Sequence, residues 1–183
     1  MAGGRRECWS CCGVLVVVIG LPAGETHAGS RTATPASSAT VRGNLDVQTR
    51  FLLGQALTGA SARLGQPKCQ AVFSDFSDPS GRSLDRVLEE SGYTGQAYLA
   101  LVFFADGAGH KLCETSLVGA FTVPGSRVVR VCPLALRRLS REDPRVVEAI
   151  LIHELLHSLG LRENPPTTEE ISERVERRCL ASR

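Results

Sequence analysis

The sequence predicts an α+β domain with a small mixed sheet, a buried helix and a C-terminal helix. Three observations predict it. Apolar residues keep helical spacing between positions 45 and 64, short stretches rich in Val, Phe and Ala read as strands, and residues 146–159 are apolar almost all round. The 183 residues are 43% hydrophobic and 22% charged, which suits one soluble globular domain and argues against disorder. A net charge of only +2 lacks the concentrated basic excess of a nucleic-acid binder, so no nucleic acid is expected as a partner.

Residues 1–28 read as a secretory signal peptide. Arg5 and Arg6 give a basic start, residues 13–21 form an apolar run, and Ala28 ends a segment suited to cleavage. The run is about half the length a membrane-spanning helix needs, so no stable membrane anchor is expected after cleavage. The expected destination is secreted or periplasmic. Cleavage would remove Cys8, Cys11 and Cys12 and leave Cys69, Cys113, Cys132 and Cys179. An even set in an exported chain implies two disulfides. Cys113–Cys132 would close a local strand pair, and Cys69–Cys179 would tie the C-terminal segment to the body.

Residues 29–43, rich in Ser, Thr and Ala, read as a flexible lead-in to a domain over 44–183. Asn44 can cap a helix running to about Leu64. Residues 69–73 read as a short strand, and Leu84, Val87 and Leu88 mark a helix that Gly92 ends. The run AYLALVFFA at 97–105 predicts a central strand buried on both faces. Two more strands are expected near 117–123 and 128–131, separated by the turn signal Pro124-Gly125-Ser126. Asp143 can cap the buried helix, with Pro144 in its first turn. Thr167 and Glu170 form a capping box for the last helix, whose Ile171, Val175 and Cys179 share one face.

The chemistry lies on the buried helix. Residues 149–164 read AILIHELLHSLGLREN. His153 and His157, four residues apart, project about 40° apart on one helix face. Two imidazoles so placed can bind one Zn²⁺. Glu154, rotated by one residue, can act as general base on a water. Two histidines and a glutamate amid Leu and Ile are costly unless each polar group has a partner.

His153, Glu154, His157 and Gly160 match H-E-x-x-H-x-x-G, and Glu163 follows ten residues after His153. The pattern resembles the metzincin clan of zincin-type zinc metallopeptidases, H-E-x-x-H-x-x-G-x-x-H, and over residues 150–166 also resembles bacterial secreted proteins of zincin type. The resemblance implies a zincin-like fold, a secreted endopeptidase with a peptide or protein substrate, and one Zn²⁺ per chain. It implies His153 and His157 as metal ligands, Glu154 as the catalytic base, and a turn at Gly160 that returns the third ligand. Glu163 stands at the third-ligand position in place of histidine. Two features depart from the clan: the only methionine is Met1, so no Met-turn exists downstream, and about one helix follows Glu163. The gluzincin layout, with the third ligand on the next helix, makes Glu169, Glu173 and Glu176 competing candidates. The alternative functional reading is a zinc-stabilised extracellular binding domain without turnover.

Overall fold

A computed structural model describes residues 44–115 and 117–181. The signal-peptide expectation and the lead-in over 29–43 lie outside the described residues. The fold is mixed α+β, with a three-stranded sheet and helices before, between and after its strands.

Helix α1, Val47–Leu64, is capped by Asp46, whose carboxylate accepts from the Thr49 N–H at 3.0 Å and the Thr49 hydroxyl at 2.6 Å. The cap is thus two residues later than Asn44, because Asp46 is spaced to reach the free N–H of the first turn. Leu53, Ala56, Leu57, Ala60 and Leu64 are buried. Residues 69–73 are helical and not a strand: α2 spans Pro67–Gln70 and a 3₁₀ turn covers Ala71–Asp75. Pro67 starts the helix, and Cys69, Val72 and Phe73 are buried at i, i+3, i+4 spacing, a helical period. Helix α3, Leu84–Ser91, ends at Gly92 in the left-handed region, as the sequence suggests.

The run at 97–105 does not form a central strand. Its first half belongs to helix α4, Gly95–Leu99, because the Thr94 hydroxyl caps the Ala97 N–H at 3.1 Å. Only Phe103–Asp106 forms a strand, β1, at the sheet edge, with Phe103 partly exposed. A short unpatterned apolar run fits a buried helical turn as well as a strand, and the cap decides between them. The central strand is β3, Val128–Val131, parallel to β1 and antiparallel to β2, Ala120–Thr122. A turn joins β2 to β3, with Pro124, then Gly125 at φ 81°, and the Ser126 N–H donating to the Val123 carbonyl at 2.8 Å. A short helix, α5, Lys111–Glu114, lies between β1 and β2.

Helix α6, Pro133–Glu142, is an element that the sequence reading did not include. Pro133 occupies its first turn, and Ala135 and Leu136 are buried. Helix α7, Pro144–Ser158, is capped by Asp143 as expected and forms the centre of the core. It packs against α1, α6, β2 and helix α8, Thr168–Val175. Leu151, Ile152, Leu155 and Leu156 are at most 1% exposed. The Thr167–Glu170 capping box starts α8, and a wider π-type turn, Glu176–Leu180, continues it.

Both disulfides pair as the sequence suggests. Cys69 bonds Cys179 across 110 residues, and Cys113 bonds Cys132 across 19. Such bonds suit an oxidising compartment, and no helix among the described residues is long and apolar enough to cross a membrane. Loop-closure entropy makes the longer bridge the stronger staple. Replacing Cys69 and Cys179 together by alanine should lower the unfolding free energy in urea by about 4–5 kcal/mol, against about 3 kcal/mol for Cys113 and Cys132. The reverse order would show that the C-terminal segment is held by packing alone.

Candidate metal centre

The site forms where α7 ends. The Leu161 N–H donates to the Leu156 carbonyl at 3.2 Å and the Gly160 N–H to the His157 carbonyl at 2.9 Å, the paired bonds of a Schellman turn. Gly160 takes φ 110°, a conformation that side-chain-bearing residues rarely adopt. The chain therefore leaves the helix at Gly160 and doubles back, as its sequence position suggests. The turn brings Glu163 Oε1 to 3.3 Å from His157 Nε2 and 3.9 Å from His153 Nε2, while the two Nε2 atoms lie 2.9 Å apart.

His153, His157 and Glu163 thus converge as a group able to hold a metal ion. His153 and His157 are buried, at 7% and 5% exposure, and Glu163 is exposed. Glu169, Glu173 and Glu176 are exposed and none joins this group. His110 lies outside the group: it caps α5 and stacks on Phe121 at 4.6 Å. Tyr98 is buried, and its hydroxyl donates to the Ser158 carbonyl at 3.1 Å.

The outer nitrogens fix how the imidazoles point. His157 Nδ1 lies 2.9 Å from the Leu161 carbonyl. A carbonyl only accepts, so His157 carries its proton on Nδ1 and turns the Nε2 lone pair toward the group. His153 Nδ1 lies 3.1 Å from Ser172 Oγ on α8. A hydroxyl both donates and accepts, so Ser172 serves either tautomer of His153. With Nε2–H donating to His157, the two imidazoles satisfy each other without metal. With the proton on Nδ1, the two Nε2 lone pairs face each other at 2.9 Å, a repulsion that a shared cation would relieve.

Burial, reinforced by the neighbouring His157, pushes the His153 pKa down to about 4, against the pull of Glu163. His153 is therefore neutral at pH 7, the state a ligand requires. Glu154 is 6% exposed and its Oε2 has no hydrogen-bond partner. Burial, with the Glu163 charge adding to it, pushes the Glu154 carboxyl up to about 8, opposed by a hydrogen bond from the Thr122 backbone. A buried carboxyl with an orphaned oxygen is an uncompensated cost in the metal-free chain, and an adjacent cation would offset it.

Ser172, the Leu161 carbonyl and the Thr122 backbone escape the sequence motif. Ser172 carries no local signal: it is half-buried and rotated about 100° from the docking residue Ile171. Comparison of the chain with protein-family models, with curated proteins and with solved structures gives no match.

Proposed function

We propose that this chain is a secreted or periplasmic zinc-dependent endopeptidase of zincin type. The observation that supports it is the convergence of two neutral-capable imidazoles and a carboxylate beside a second, buried carboxyl with an unpartnered oxygen. Separations of 2.9, 3.3 and 3.9 Å bring all three ligand atoms close enough to share one ion, which His153, His157 and Glu163 would hold. Zinc bound by three protein groups supplies Lewis acidity toward a carbonyl and toward water.

The chain's own residues do the rest. Ser172 and the Leu161 carbonyl hold the imidazoles in orientation, the supporting role on which metal affinity depends. Glu154 takes a proton from the attacking water and delivers it to the leaving amine. Strand β2 has β3 on one side only. The Gly119 carbonyl accepts from the Cys132 N–H, so alternation turns the backbone groups of Ala120 away from β3. An extended peptide can pair with that edge.

The test is a broad peptide library offered to the zinc-loaded chain made by an export route. Cleavage lost on chelation and restored by one equivalent of zinc is the expected result, and no cleavage of any peptide would reject the reading. Ligand choice is tested separately. Glu163→Ala should weaken zinc binding by at least about a hundredfold, since it removes one of three ligands. The combined change of Glu169, Glu173 and Glu176 to Gln should leave binding within about threefold. The opposite pattern would move the third ligand to α8.

A further inference from the structure

Beside the metal centre lies a cavity of about 240 Å³ between α7, α8 and residues 117–120. That is below the size of pockets that enclose drug-like ligands and suits one long side chain. Its apolar lining includes Val118, Ala149, Ile150 and Val175. His153 and Glu154 also line it, so it opens onto the reacting groups. The exposed Glu176 lines it as well, and no lysine or arginine does. The nearby arginines are engaged elsewhere: Arg174 and Arg178 pair with Asp75 at 3.2 and 2.8 Å, and Arg177 faces Glu173 at 3.8 Å. Among the described residues no cation pairs with Glu176.

We infer that this cavity receives an arginine or lysine flanking the scissile bond, with Glu176 as the specificity-determining residue. The inference rests on the peptidase reading above and names its substrate class. In a strand paired with β2, the residue opposite Ala120 points to the same sheet face as Ala120. Ala120 is buried and lines the cavity, and β2 packs against α7. The side chain at that position therefore enters the cavity. A long basic residue fits it in two parts: the aliphatic stem lies along the apolar wall, and the charged tip stays at the hydrated mouth beside Glu176. An acidic side chain would meet a carboxylate there with no cation to offset it.

The probes are capped peptides Ala-Ala-Gly-Xaa-Ala-Ala with Xaa as Arg, Lys, Leu or Glu, incubated with the zinc-loaded chain. Cleavage on either side of Xaa is expected, with kcat/KM for Arg and Lys about tenfold above Leu and higher still above Glu. Glu176→Gln should cut the preference for Arg over Leu about threefold, and Glu176→Lys should abolish it, as expected for a screened surface pair. The preference should also shrink with added salt. Cleavage without a basic preference, or a preference that Glu176→Lys leaves intact, overturns the inference while the peptidase reading stands. If no peptide is cleaved, calorimetric binding of the same peptides decides. Tighter binding of the Arg peptide that Glu176→Lys removes keeps the cavity as a binding site and rejects turnover. Equal binding of the Arg and Leu peptides rejects both.

Discussion

His153→Ala and His157→Ala should each purify without zinc, where the parent chain should carry about one per molecule. A structural zinc site contributes on the order of 10–16 kcal/mol of apparent binding free energy, shared among few ligands, so losing one of three removes orders of magnitude of affinity. The two changes should still differ. His153→Ala leaves Ser172 at the edge of a small vacancy. His157→Ala also removes the donor to the Leu161 carbonyl, which secures the turn that carries Glu163. In the metal-free state His157→Ala should therefore unfold at lower temperature than His153→Ala, by about 1–2 kcal/mol of stability. Elemental analysis and thermal unfolding with a chelator read the two effects. A parent chain that folds and binds no zinc would reject the metal centre outright.

Which parts of the molecule were legible in the sequence follows from how local their causes are. Asp143 with Pro144, Thr167 with Glu170, and Gly92 each act within one helical turn, and all three punctuate helices as read. The candidate metal group is legible for the same reason. His153, His157, Gly160 and Glu163 span one helix end and one turn, so their convergence is set by helical geometry and a single left-handed residue. The failures share the opposite property. Residues 69–73 and 97–105 are apolar runs whose period does not separate strand from buried helix. Pro67 and Thr94, at the starts of α2 and α4, decide both in favour of helix. Helix α6 was hidden because the strand before it and the helix after it carried the stronger signals. Ser172 and Thr122 reach the site only through the packing of α8 and β2 on α7, and no local pattern records that packing.

Glu154→Gln separates a base from a structural carboxyl. Glutamine keeps the size and hydrogen-bonding capacity of glutamate but cannot take a proton from water. Zinc content should stay near one per chain while cleavage falls by about 10²–10⁴-fold, the range lost with a general base. The same change should stabilise the metal-free chain, and the pH dependence shows why. Burial raises the Glu154 pKa to about 8 from 4.5, so its contribution to stability is full below pH 4.5 and is lost as pH rises through 8. His153, lowered to about 4 from 6.5, contributes stability that is full above pH 6.5 and is lost as pH falls through 4. Between pH 6.5 and 8, of these two groups only Glu154 changes stability, and the metal-free parent should lose roughly 1–2 kcal/mol there. Urea unfolding with a chelator should show that slope in the parent and a flat line in Glu154→Gln. Equal slopes would mean that Glu154 ionises freely in the folded chain, and full cleavage by the variant would remove it as the base. A residue that weakened the empty fold and proved to be required for turnover would be placed there for chemistry, since packing alone would favour the glutamine.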